Sequence, residues 1–288
     1  MAFSNDSTQI RVAAVQMHAG EDKAANIATA LTMIDDAAGT GARLVVLPEI
    51  WTFLGPSSGQ RAAAETVPGE LTDRLADRAR RHGIYLHAGS ILEQVSGEPR
   101  LFNTAVVFNP DGDIIATYRK IHLFDVDIAG KVTAKESDNI RPGHELVTAN
   151  IEGHIFGLAI CYDLRFPELF RSLALMGAEA IFLPSAFTLQ TGRDHWDVLI
   201  RARAIENACY MLAPGLVGKH ENGGETYGHS MIVDPWGTIV GCMPDEVGVV
   251  ISELDFDRQA RIRAEIPVLA NRQPAAYSRL LVEETVAV

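Results

Sequence analysis

The chain has 288 residues, with 25 Lys and Arg against 37 Asp and Glu, for a formal net charge of −12. Hydrophobic residues make up 47% and charged residues 22%, a globular composition that excludes a disordered chain. The acidic excess argues against nucleic acid or a membrane surface as partner, since both are polyanions, and an anionic substrate would need cations placed locally.

In chain order, a polar tail over residues 1–9 carries no basic or apolar leader segment, and no apolar run approaches the roughly 18 residues that cross a bilayer. The expected compartment is therefore the cytosol. Apolar, β-branched runs predict strands at Ile10–Met17, Arg43–Pro48, Ile84–Leu92, Thr104–Phe108 and Ile114–Ile121. Helical patterns at Asp22–Ala38 and Glu70–Arg81 end at Gly39 and Gly83. The second half continues with strands at Glu145–Glu152 and Ile155–Ile160, a helix over Pro167–Met176, a strand at Ala180–Pro184 and a helix over Asp194–Ala208. Strands at Cys209–Val217, Ser230–Asp234, Thr238–Gly241 and Val247–Leu254 precede a last helix, Asp257–Glu265, and a tail from about residue 268. No linker or repeat divides the chain, so one domain over 1–288 is expected. Roughly a dozen strands exceed what one open twisted sheet holds comfortably, which points to a layered α/β protein with two mixed sheets and helices outside.

Cys161, Cys209 and Cys242 are odd in number and widely spaced, which leaves neither a disulfide framework nor a Cys-x-x-Cys zinc site. Cys161 stands apart because it ends an apolar strand and leads into a helix near Pro167. A nucleophile on such a turn sits above the sheet, with free backbone N–H groups to receive an oxyanion. Glu49 ends another strand in Leu47-Pro48-Glu49, at the sheet rim where pockets form. Lys120 closes the strand Ile114–Ile121, and its neighbour His122 reads as a hydrogen-bonded structural histidine. Each of these taken alone is also compatible with an ordinary packing or surface role.

Together they carry a resemblance. Leu47-Pro48-Glu49, Arg119-Lys120-Ile121-His122-Leu123-Phe124 and Cys161-Tyr162-Asp163-Leu164-Arg165-Phe166-Pro167-Glu168 resemble the signatures of the nitrilase superfamily of carbon–nitrogen hydrolases. The likeness continues through Gly192-Arg193-Asp194-His195-Trp196 and Tyr227-Gly228-His229-Ser230, from Val12 to about Tyr277. It implies a four-layer αββα sandwich, a homodimer or higher even-numbered oligomer, and a Glu–Lys–Cys triad at Glu49, Lys120 and Cys161. It adds Glu136 as a second site carboxylate, in a stretch (Lys131–Asp138) that otherwise reads as a solvated loop. The chemistry needs no metal or organic cofactor.

The expected mechanism is attack by Cys161 on an amide carbonyl, with Glu49 as base and then acid, and with Lys120 and the Tyr162 N–H holding the oxyanion. A thiol of pKa ~8.5 is only a few per cent thiolate at pH 7, and near-complete ionisation needs roughly 2–3 kcal/mol, which the Lys120 ammonium is expected to supply in large part. Cys-Tyr-Asp in place of Cys-Trp-Glu resembles the amidase branches rather than true nitrilases. The resemblance divides between ω-amidases, which act on the ω-amide of a 2-oxo acid, and deaminated-glutathione amidases. It implies cleavage of a small carboxylate-bearing amide to carboxylate and ammonia. The alternatives are an N-carbamoyl amidohydrolase, an aliphatic amidase or nitrilase, and a catalytically silent binding protein. Arg165 is the candidate cation for the substrate carboxylate, with an ion pair to Glu168 as the competing role. Tyr162, Phe53 and Phe187 are candidate pocket walls, and Arg193 departs from the ω-amidase pattern.

Overall fold

The computed structural model describes residues 8–128, 132–221 and 224–277. The first seven residues, the Gly130-Lys131 pair of the motif region and the tail from residue 278 lie outside that range. The first half runs β1 (Gln9–Gln16), α1 (Lys23–Gly39), β2 (Leu44–Val46), α2 (Ser57–Ala63), α3 (Glu70–His82), β3 (Tyr85–Glu93), β4 (Phe102–Phe108) and β5 (Ile114–Arg119). Next come β6 (Asp125–Ile128), β7 (Val132–Lys135), β8 (Thr148–Ile151), β9 (His154–Leu158), α4 (Pro167–Leu175), β10 (Ala180–Phe182) and α5 (Leu189–Asn207). The chain then forms β11 (Tyr210–Ala213), β12 (Val217–Lys219), β13 (Glu225–Tyr227), β14 (Met231–Val233), β15 (Ile239–Cys242), β16 (Gly248–Asp255) and α6 (Phe256–Glu265).

Two six-stranded mixed sheets result, ordered β16-β1-β2-β3-β4-β5 and β15-β14-β11-β10-β9-β8. The parallel trios β1-β2-β3 and β9-β10-β11 form their centres. Alternation along β1 shows how the layers arise. Ile10, Val12 and Ala14 face a core shared with Phe156, Leu158 and Phe182 of the second sheet, whereas Ala13 and Val15 face Ile27, Ile34, Leu71 and Leu75 of α1 and α3. On the far side of the second sheet, Leu169, Phe170 and Leu173 of α4 and Trp196, Ile200 and Ala204 of α5 close the same core. Helix pair, sheet, sheet and helix pair are thus stacked as the four expected layers.

Three features escape the periodicity. The hairpins β6-β7 and β12-β13 and the short helix α2 are too short and too polar to carry an apolar repeat, and they are held by pairing and by contact with the site. Helix α5 begins at Leu189 rather than at Asp194, because Gly192 is a helical residue there. A Cβ at Gly192 would come 2.4 Å from Tyr227 Cβ, so the glycine marks close packing of α5 on β13 rather than a break. The expected strand Cys209–Val217 is interrupted after Ala213, where Pro214 has no N–H for a ladder.

A bulge in β3 fixes the segment that follows β2. Gly89 takes φ +62°, and a Cβ there would lie 1.9 Å from Pro48 O. The next residue clamps the same loop: Ser90 N donates to Pro48 O (3.1 Å), and Ile50 N donates to Ser90 Oγ (3.1 Å). Trp51 Nε1 adds a bond to Ala88 O at 2.7 Å. Gly89→Ala therefore combines a backbone clash with an unfavourable φ, a class of change that costs about 2–3 kcal/mol or more. We expect its melting temperature to fall by about 5 °C or more relative to wild type, read by circular dichroism. An unchanged melt would show that the bulge can relax.

Candidate active site

The ends of three strands bring the site together. Glu49 lies three residues beyond β2, Lys120 directly follows β5, and Cys161 lies three residues beyond β9. Cys161 opens a 3-10 turn (Cys161–Arg165) at φ +46°, in the left-handed region that a non-glycine residue adopts at a cost. Its N–H donates to Pro184 O at 3.0 Å, which pins the turn to the end of β10. As second residue of that turn, Tyr162 has its N–H left over from the helical ladder and available to a ligand.

Lys120 is 2% exposed and lies between two carboxylates. Its Nζ donates to Glu49 Oε1 at 2.9 Å and to Glu136 Oε2 at 3.0 Å. Burial disfavours the ammonium, but the Glu136 and Glu49 charges outweigh it and raise the Lys120 pKa well above the ordinary lysine value. Each carboxylate is fixed by further donors. Glu49 receives Asn103 Nδ2 at 2.9 Å and the Ala186 N–H at 2.7 Å; Glu136 receives the Phe124 N–H at 2.6 Å. Two carboxylates and one ammonium leave this cluster at −1 with the thiol neutral.

The thiol of Cys161 feels opposing influences. Burial, and after it the Glu49 charge, push the thiol well above its usual range, with Lys120 acting against them. Lys120 is paired with two carboxylates, and its pull on the thiol is outweighed by burial and by Glu49. The help toward ionisation expected from the Lys120 ammonium is present but acts against these two effects.

Asp163 ties the lysine and cysteine segments to each other. It is fully buried and accepts from Tyr118 Oη (2.7 Å) and Ile160 N (2.8 Å) on one oxygen. Its other oxygen takes His122 N (3.0 Å) and lies 2.7 Å from His122 Nδ1. His122 is thereby a structural histidine, stacked on Phe166 at 3.6 Å between centroids. His229 is likewise committed, at 3.0 Å from Tyr227 O, and neither histidine lines the site.

A cavity of about 390 Å³ opens over this cluster, with Glu49, Lys120, Glu136 and Cys161 in its wall. Tyr162, Phe124, Phe187 and Leu54 give it an apolar lining, and Gln60, Thr188, Thr191 and Lys135 add polar atoms. An expected wall residue, Phe53, and the expected carboxylate-binding cation, Arg165, lie outside this lining. Phe53 packs into a small cluster with Ala63, Ala64, Leu92, Leu101 and Ile140, and the tight approach of Gly55 and Gly59 to its ring explains that placement. Arg165 sits behind the wall, 5.7 Å from the Tyr162 ring centroid and 5.3 Å from that of Phe187. Arg193 is exposed on α5 and takes no part in the lining. Asn103, Ala186, Gln60 and Lys135 were not singled out from the sequence; single polar residues in strands and loops carry no pattern that marks them.

The matched protein family is Carbon-nitrogen hydrolase, over residues 11–264. This chain belongs to that family. Among its relatives, "Omega-amidase NIT2" of Danio rerio is 38% identical over 277 residues, covering 96% of this chain and 99% of the relative. "Deaminated glutathione amidase" of Synechocystis is 39% identical over 264 residues, or 90% of this chain and 97% of the relative. Of the solved structures, the C. elegans NitFhit protein superposes with a TM-score of 0.88 at 36% identity, covering 93% of this chain and 66% of that one. Saccharomyces cerevisiae Nit3, titled a member of branch 10 of the nitrilase superfamily, gives 0.84 at 33% identity, with 92% and 96% covered. The hydrolase family and the four-layer fold expected from the motifs are both met.

In this carbon–nitrogen hydrolase the position of Glu49 beside the thiol has a measurable signature. Glu49→Gln removes the negative charge that helps raise the thiol, so the thiolate population at a given pH should increase. We expect iodoacetamide alkylation of Cys161 to shift to lower pH, while amide turnover falls by about 10²–10⁴-fold for loss of the base. Mass spectrometry of alkylation against pH reads the first; a profile that stays put or moves upward would remove Glu49 from the thiol's surroundings.

Proposed function

We propose that the protein is an amidase that cleaves a small carboxylate-bearing amide through a Cys161 thioester. The observation that carries this reading is a cysteine on a strained turn at the wall of a cavity, flanked by the Glu49–Lys120–Glu136 cluster. The relatives named as an ω-amidase and a deaminated glutathione amidase favour the same substrate class.

Each step follows from the placement of charge. The thiol proton passes to Glu49 as the Sγ–C bond forms, and this transfer leaves the net charge of the site at −1. The carbonyl oxygen becomes an oxyanion facing Lys120 and the Tyr162 N–H. Collapse breaks the C–N bond as Glu49 returns the proton to the departing nitrogen: ammonia from a primary amide, an amine from an N-substituted one. A water deprotonated by Glu49 then hydrolyses the thioester. Glu136 keeps Lys120 charged and in position throughout.

In this reading Arg165 acts on the substrate's carboxylate from behind the Tyr162 and Phe187 rings, as a positive field rather than a direct contact. Among the described residues no carboxylate pairs with it, so the ion pair with Glu168 is not formed, and its one side-chain hydrogen-bond partner is His195 Nδ1 at 3.3 Å. A half-buried guanidinium with aromatic faces on two sides and no counter-charge suits an incoming anion. Ammonia release from α-ketoglutaramate, N-carbamoylputrescine, an aliphatic amide and a nitrile, together with α-ketoglutarate formation from α-ketoglutaramate and from deaminated glutathione, whose leaving group is an amine, tests the reading. We expect turnover of a keto-acid amide that Cys161→Ala abolishes and that Arg165→Met weakens by about tenfold or more in kcat/KM. Turnover of the carbamoyl compound or the nitrile alone would replace the substrate, and no turnover at all would favour a binding protein.

The same reading includes one cytoplasmic hydrolase domain that works as a homodimer. Val198 (65% exposed) and Ile205 (50% exposed) lie on the outer face of α5, beside the exposed Trp236 and near Leu175 and Met176 at the end of α4. Arg201 Nε bonds Gly237 O and Arg171 bonds Glu206 O, which joins these segments into one face. An apolar face of this kind on an acidic protein suits a second copy. Light scattering should give twice the chain mass for wild type and a shift toward monomer for Val198→Glu with Ile205→Glu; a monomeric wild type would remove the dimer.

A further inference from the structure

Asn103 is an unusual residue for its place. It stands in β4 among Phe102, Thr104, Ala105 and Val106 and is 1% exposed, although asparagine is depleted in strands. Its Nδ2 donates to Glu49 Oε1 at 2.9 Å and lies 3.4 Å from Glu136 Oε1, and its main-chain O accepts from Lys120 N at 2.9 Å. One residue therefore touches all three members of the charged cluster. Its Oδ1 is buried with no hydrogen-bond partner among the described residues, which is a cost. Turning the amide over would set that oxygen against two carboxylates, so the charges of Glu49 and Glu136 fix its orientation.

The two oxygens of Glu49 are not equally occupied. An ionised carboxylate offers about four acceptor positions, two on each oxygen. Lys120 Nζ and Asn103 Nδ2, each at 2.9 Å, fill both positions on Oε1. Oε2 receives the Ala186 N–H at 2.7 Å and keeps one position open. That same N–H also acts on the Cys161 thiol, favouring its ionised form, so Oε2 and the sulfur meet at one donor. Resting on the amidase reading above, we propose that Glu49 Oε2 is the oxygen that takes the thiol proton, and that Asn103 is the positioning residue that directs it there by closing Oε1. The S–H bond breaks as the S–C bond forms, and its proton makes an O–H bond at Oε2. On collapse this proton passes to the departing nitrogen as the C–N bond breaks, which leaves Oε2 ionised for the attacking water. Without the Asn103 amide, Oε1 regains an open position and the carboxylate has one anchor fewer against rotation.

The charged and titratable groups facing Glu49 are Lys120, Glu136 and Cys161, and Lys135, His220 and Glu225 also line the cavity. Two variants separate positioning from packing. Asn103→Leu removes the donor at similar size, and Asn103→Asp keeps the shape but sets a further carboxylate beside Glu49. A donor favours the ionised form of a carboxylate and a neighbouring carboxylate disfavours it. The acid limb of the kcat/KM profile, which in this mechanism follows the ionisation of Glu49, should therefore move to higher pH for Asn103→Leu and further for Asn103→Asp. On the panel amide that wild type turns over best, we expect Asn103→Leu to lower kcat about tenfold or more, with KM within about twofold of wild type. Rates are referred to the folded fraction read by circular dichroism, so a purely structural role would leave both kcat and the acid limb where they were. An acid limb that neither variant moves, or a raised KM at unchanged kcat, overturns the role of Asn103 and leaves the amidase reading in place. Turnover of no panel amide by wild type overturns both.

Discussion

A single buried ammonium organises this molecule. Lys120 is enclosed by protein and would be costly to bury alone, but with Glu49 and Glu136 at 2.9 and 3.0 Å it stays charged. The same contacts hold the two carboxylates close together, which like charges would otherwise resist. Glu49 can then be a base beside a neutral thiol rather than a partner of a standing thiolate. In the proposed mechanism nucleophile activation is deferred to the moment of attack, and the site avoids carrying a third anion beside Glu49 and Glu136.

The fold exists around that cluster in a specific sense. Glu49 comes from the first sheet and Cys161 from the second, so the sheets must pack in one register for the two to meet. Asp163 joins the cysteine turn to β5 and the segment after it through three contacts, to Tyr118 and twice to His122, while a fourth, from Ile160, fixes its own turn. The Gly89–Ser90 bulge performs the corresponding task for the loop that carries Glu49. Rigid elements on both sides hold the reacting groups before any ligand arrives, and this pre-organisation lets electrostatic stabilisation act without further rearrangement.

Charge is distributed unevenly for a chain of net −12. Cations near the cavity differ in their state: Lys120 is fully committed, Arg165 has no ion-pair partner among the described residues and lies behind two aromatic rings, and Lys135 is exposed in the wall with Asp138 as a screened partner. An acidic protein that accepts anionic ligands depends on such locally placed cations, because its long-range field opposes the ligand's approach.

The sequence by itself determined the layered α/β class and three of the four residues of the catalytic cluster as strand-end positions. Apolar alternation and strand–turn boundaries are local properties, written within a few residues of Glu49, Lys120 and Cys161. Glu136 was reached through the family resemblance alone, since its own neighbourhood reads as a solvated loop. Only the tertiary structure decided the rest. It showed that β6-β7 and β12-β13 are hairpins, that Phe53 turns into a side cluster, and that Asn103, Ala186, Gln60 and Lys135 belong to the site. It also set burial and Glu49 against the pull of Lys120 on the thiol. The family resemblance implies a lysine beside a cysteine, but the balance between one ammonium, two carboxylates and burial is a sum over groups far apart in the chain. Such sums depend on distance and exclusion of water, and these are fixed only when the sheets pack.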